Sequence, residues 1–203
     1  MKKNDIKLII IDFYGVMTKG SYKETCQWLA KKFGGKWEDI YQIVYHKYFN
    51  QAALCRIKES RFLQAAMDEL KFPITGRKLL KIHLTFQILK RPVFNLCLKL
   101  KKQGYKILLL SKNTPLQFAA VLRKMKMRKY FKYIINTFDL GLPKDSPETI
   151  TFILKKFKLK PKEAVMIDDQ PFNLPAAKKL GVKTILYKNF TQFKKELFKY
   201  LSL

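Results

Sequence analysis

Residues 6–16 read IKLIIIDFYGV, and residues 164–173 read AVMIDDQPFN. In both stretches an apolar run stops at an acid, Asp12 in the first and Asp168–Asp169 in the second. The runs are continuous rather than alternating, as strands covered on both faces are. Residues 106–110 (KILLL), 133–136 (YIIN) and 182–186 (VKTIL) have the same character. Helical patterns lie around them at 91–103, 115–127, 146–157, 173–180 and 191–201. Ser146–Pro147–Glu148 has the form of a cap followed by proline in the first helical turn, and Gly104 and Gly181 stand where helices end before strands. This alternation predicts an α/β fold, a doubly wound parallel sheet of the Rossmann-like kind.

Residues 21–91 break the rhythm. They show no clear strand and four helical stretches, at 22–33, 37–50, 58–70 and 76–89, separated by Gly34–Gly35 and Phe72–Pro73. The expectation is an all-helical insertion after the first strand, a lid over the carboxyl ends of the strands. The expected division is a core of residues 1–19 and 91–203 with a cap of residues 20–90.

The length of 203 residues suits one core domain with an insertion, and 48% hydrophobic residues exclude full-length disorder. No apolar run is long enough for a signal peptide or a bilayer span, so the expected location is cytoplasmic, with no membrane partner. Cys26, Cys55 and Cys97 are odd in number and lack metal-ligand spacing, which predicts free thiols. Lys and Arg total 42 against 15 Asp and Glu, a net charge of +27, and no acid occurs between Leu70 and Phe138. Such a field attracts nucleic acid, other polyanions or small phosphorylated molecules. Arg123, Lys124, Lys126, Arg128 and Lys129 are the candidate basic helix end. Arg is scarce, so solvated lysines on every face explain much of the charge equally well.

Four candidate sites sit at or just past strand ends: Asp12, Ser111 in LLLSKNTP, Lys144 in GLPKDSPE, and Asp168 with Asp169. In this topology all converge on one rim of the sheet. A nucleophilic carboxylate, a hydroxyl, a cation and further acids can together hold a metal ion and a phosphoryl group.

In this order the motifs resemble those of the haloacid dehalogenase (HAD) superfamily. IIIDFYGV is similar to its first motif, ILLLS to its second, GLPKDSPETI to its third region and VMIDDQPFNLPAAKKLGV to its fourth. The resemblance implies a HAD-like sheet with a helical cap and a hydrolase using an aspartyl-phosphate on Asp12. It implies Mg2+ held by the Asp12 and Asp168 carboxylates and the Tyr14 carbonyl, with Asp169 direct or through water. It implies that Ser111 grips phosphoryl oxygens and that Lys144 neutralises charge. Tyr14 departs from the phosphatase pattern, which has an acid/base Asp at this position; Tyr there resembles 2-haloacid dehalogenases. Paired Asp in the fourth motif favours phosphoryl chemistry. The alternatives are a catalytically weak HAD-fold protein that binds polyanions and, third, a 2-haloacid dehalogenase. Oligomeric state is left open.

Trp37, Tyr41, Tyr45 and Tyr48 recur at helical spacing and suit a packed cap core, with an aromatic wall over substrate as the alternative. His46 and His83 read as ordinary helix residues, and the amphipathic stretch 193–201 as a closing helix packed on the sheet.

Overall fold

The computed structural model describes residues 6–201. Its strands, in chain order, are β1 (Leu8–Asp12), β2 (Thr18–Lys19), β3 (Ile88–Leu89), β4 (Lys106–Ser111), β5 (Tyr133–Asn136), β6 (Ala164–Asp168) and β7 (Lys183–Leu186). Five of them form a parallel sheet ordered β5-β4-β1-β6-β7. Successive residues of β1 serve opposite cores. Ile9 and Ile11 pack with Ile107, Leu109, Val165 and Ile167. Leu8 and Ile10 pack with Leu108, Leu110 and Met166 on the other side. Helices cover both faces, which is why the strand sequences are apolar without alternation. Each fully buried Ile or Leu contributes about 1.5–3 kcal/mol.

Helices α1 (Tyr22–Phe33), α2 (Trp37–Tyr41), α3 (Asn50–Ala53), α4 (Glu59–Glu69) and α5 (Gly76–Phe86) form the insertion. They share a core of their own, including Cys26, Leu29, Val44, Ala66, Met67 and Leu79. Helices α6 (Arg91–Lys102), α7 (Pro115–Lys124), α8 (Met127–Tyr130) and α11 (Phe190–Leu201) cover one face of the sheet, and α9 (Pro147–Phe157) and α10 (Pro175–Lys179) the other. The closing helix does pack on the sheet, through Phe193, Leu197 and Leu201. Ser146 caps α9 by accepting from the Thr149 amide at 3.2 Å.

Three details differ from the sequence expectation. The stretch 76–89 is not one helix: it stops at Phe86, and β3 then pairs antiparallel with β2, Thr18 opposite Leu89 and Lys19 opposite Ile88. A two-residue strand leaves no periodicity to read. The chain crosses itself there so closely that a Cβ on Gly20, at φ +93°, would lie 1.9 Å from the Phe86 carbonyl oxygen. Second, Gln42–Phe49 between α2 and α3 is π-helical, a register that apolar spacing does not distinguish from α. Third, the 115–127 helix breaks at Met125 and Lys126, the latter left-handed at φ 53°.

Candidate active site

Strand register places the acids. Ile11 pairs with Ile167, so Asp12 and Asp168, one residue further on, end adjacent parallel strands. On the other side Asp12 pairs with Leu110, the residue before Ser111. Neighbouring strands lie about 4.8 Å apart, so three functional side chains leave one rim side by side. Asp12, Asp168 and Asp169 each offer an oxygen within 4.8 Å of the others.

Lys144 arrives from the loop before α9. Its ammonium donates to Asp12 Oδ1 and lies 2.6 Å from Asp168 Oδ2. All three side chains are buried. Burial pushes the Asp12 pKa up against the pull of Lys144, and Asp168 and Asp169 add to the rise. Burial alone would lower the Lys144 pKa, but Asp12 and Asp168 outweigh it and keep the ammonium charged. The Asp169 carboxyl, half-buried, is raised by burial and by Asp168. The second oxygen of Asp12 and the Ser111 hydroxyl are buried with no hydrogen-bond partner among the described residues. Unsatisfied buried oxygens of this kind are costly unless a ligand completes them. With a free oxygen on Asp12, the three carboxylates could hold a hard, oxygen-ligated metal ion.

The structure thus brings together Asp12, Ser111, Lys144, Asp168 and Asp169. Tyr14 is adjacent, but its ring packs edge-on against Phe13 at 5.0 Å and its hydroxyl is buried. Burial raises the Tyr14 pKa above its ordinary value of 10.0 against the pull of Gln117 and Asn113, and the Asp12 charge adds to the rise. Free Tyr is already a poor acid at neutral pH, and this one is poorer.

Several supporting residues carry no signal in the sequence, because their partners are far along the chain. Asn173 and the Gln170 amide both donate to Asp168 Oδ1 at 2.9 Å, which turns the other oxygen to Lys144. Asn136 on β5 accepts from the Asn113 amide at 3.0 Å and donates to the Asn113 carbonyl at 2.8 Å, shaping the loop after Ser111. Lys90 donates to the Gly15 carbonyl and stands over the Tyr187 ring at 4.5 Å, bracing the loop after Asp12. In that loop Gly15 has φ +95°, and a Cβ there would fall 2.3 Å from the Asp169 carboxyl.

The insertion meets the core through a buried polar seam. His83 on α5, read from sequence as an ordinary helix residue, is central to it. Its Nδ1 bonds Thr25 at 2.8 Å, its Nε2 bonds Gln117 at 2.9 Å, and Tyr22 stacks on its ring at 4.2 Å. Glu59 of α4 accepts from the Leu116 and Gln117 amides at 2.8 and 3.0 Å. The aromatic series divides: Tyr41, Tyr45 and Phe49 stack in a column at 4.9 and 5.1 Å, whereas Tyr48 bonds Glu69 at the surface. Lys124, one of the candidate basic residues, is spent on the carbonyls of Leu84 and Gln87.

The family model of haloacid dehalogenase-like hydrolases matches residues 6–181. The chain belongs to this family. Glyceraldehyde 3-phosphate phosphatase of Pyrococcus furiosus is 28% identical over 92 residues, 45% of this chain and 38% of that protein. The first curated relatives are spanned over only 20% to 38% of their own length. A HAD family enzyme of Bacteroides thetaiotaomicron, solved as a magnesium complex, is 24% identical with TM-score 0.75, covering 91% of this chain and 94% of that one. The L-2-haloacid dehalogenase of Xanthobacter autotrophicus is 16% identical with TM-score 0.65, covering 96% and 83%. These structural likenesses establish the HAD fold. Cys26, Cys55 and Cys97 are free thiols, and no helix among the described residues is long and apolar enough to cross a membrane.

Proposed function

We propose that this hydrolase is a Mg2+-dependent phosphatase or phosphotransferase acting through Asp12 on small phosphorylated compounds, with core residues 1–19 and 91–203 and a cap of residues 20–90. The observation that carries it is the meeting of Asp12, Asp168 and Asp169, the first two ion-paired to buried Lys144, with one Asp12 oxygen left unpartnered among the described residues. Asp12, the Tyr14 carbonyl, Asp168 and Asp169 would hold Mg2+, which neutralises phosphoryl charge when bound. Asp12 Oδ2 attacks phosphorus in line, the bond to the leaving oxygen breaks with its electron pair, and an aspartyl-phosphate forms. Ser111 donates to a phosphoryl oxygen and Lys144 offsets the negative charge shared with Asp12. Water, or another acceptor hydroxyl, then takes the phosphoryl group and Asp12 is regenerated.

No acid stands where Tyr14 is, and a missing general acid costs about 10²–10⁴-fold. Substrates whose leaving oxygen needs no proton, acyl and aryl phosphates, are therefore turned over best. The test is hydrolysis of acetyl phosphate and an aryl phosphate with Mg2+, with chelator, and in Asp12→Asn. Chelator and the substitution are each expected to reduce turnover by about a thousandfold or more. Turnover that survives either one overturns the mechanism. Halide release from a 2-haloacid without metal would instead establish dehalogenase chemistry.

A second reading, binding of nucleic acid or another polyanion, is favoured by a cleft of about 510 Å³ lined by Ala119, Leu122, Arg123, Lys126, Arg128 and Lys129. Binding to a DNA duplex at 50 mM salt, falling steeply by 200 mM, is the expected signature; no binding at low salt removes this reading.

A further inference from the structure

Lys112 follows Ser111 at the end of β4, and no step above uses it. Its side chain is partly buried, and no carboxylate forms an ion pair with it among the described residues. Its ammonium donates to Asn50 Oδ1 of the cap at 3.2 Å, joining the core to the insertion. A half-desolvated cation with one neutral acceptor is an incomplete arrangement, since buried charges are ordinarily paired. Burial accordingly draws its pKa down, with only the exposed Asp145 pulling the other way.

The two lysines of this rim divide the space. Lys144 touches Asp12 and Asp168 at the phosphoryl position. Lys112 stands aside from those acids, toward the cap. There Asn50, at the start of α3, is the cap residue that meets it.

Building on the phosphatase reading above, we infer that Lys112, held by Asn50, binds a second anionic group on the substrate, at the end remote from the reacting phosphoryl group. The substrate class is a small phosphorylated compound that carries a carboxylate or a second phosphate. Asn50 holds the ammonium in place when the subsite is empty and shares it with the ligand when it is filled.

Three non-hydrolysable probes of similar size test this by calorimetry in the presence of Mg2+: 3-phosphonopropionate, propylphosphonate and 2-aminoethylphosphonate. The wild-type protein is expected to bind 3-phosphonopropionate about tenfold or more tighter than propylphosphonate, the worth of one charge-assisted hydrogen bond. It should bind the aminophosphonate most weakly. In Lys112→Met the ratio of the first two should fall to within about twofold, and in Lys112→Arg the preference should return. Equal wild-type affinities, or a preference that persists in Lys112→Met with its fold verified by circular dichroism, overturn the inference. So does failure of all three to bind. Aryl-phosphate turnover in the same preparation then separates the two claims: if it persists with Mg2+, the phosphatase reading stands and only the subsite falls.

Discussion

Lys144 is the buried cation ion-paired to both Asp12 and Asp168. Removing one partner of a buried charge pair typically costs about 3–5 kcal/mol, because the charge left behind has no partner. Lys144→Met should therefore destabilise the metal-free protein by about that amount in urea unfolding, as well as abolish turnover. Mg2+ should raise the melting temperature of the variant more than that of the wild type, since a bound cation now supplies the missing charge. An equal Mg2+ effect on both proteins would mean that these acids do not share a cation. At this scale the sequence was informative where chemistry is local: an acid or hydroxyl after an apolar run marks Asp12, Ser111 and Asp168. It was silent on Asn136, Asn173 and Lys90, whose roles exist only because β5, the loop after β6 and the start of α6 meet the rim in space.

Among the elements, α7 shows how insertion and core depend on each other. Its first turn has exposed amides and Thr114 makes no side-chain cap there. The acceptor comes instead from Glu59, at the start of α4. A carboxylate on two terminal amides satisfies orphan donors and complements the helix dipole. Glu59→Ala is expected to cost about 1–2 kcal/mol in urea unfolding and to speed hydrogen exchange at the Leu116 and Gln117 amides. Unchanged exchange there would show that the bond contributes nothing. Most helices and all five sheet strands were legible, because each buries enough side chains to impose a period. β2, β3 and the π-helical segment were not: two residues carry no period, and the π register differs from α by one hydrogen-bond step.

Across the whole molecule, the seam between insertion and core holds a histidine that folding keeps neutral. Burial lowers the His83 pKa to about 3, against about 6.5 in an unfolded chain. Below pH 6.5 the unfolded state takes up a proton that the folded state refuses. This contribution is complete above that pH and declines as the pH drops toward 3. The loss amounts to about 2 kcal/mol between neutral pH and pH 5. His83→Gln, compared with wild type by urea unfolding at pH 7.5 and pH 5, should remove that share of the acid sensitivity; an identical pH dependence in the two proteins would refute it. The sequence showed one histidine in a helix but not the Thr25, Gln87 and Gln117 side chains that surround it, which come from α1, the end of α5 and α7.

The antiparallel pair β2–β3 has a practical consequence. Lys19 and Ile88 are direct partners, so nearly seventy residues leave and rejoin the sheet domain through points no further apart than two neighbouring strands. Geometrically the whole helical unit is an overgrown hairpin loop. A two-residue turn spans the same stem, so exchanging the unit for a short connection leaves the chain path of the sheet intact while stripping Glu59 from the α7 amides and His83 from Gln117.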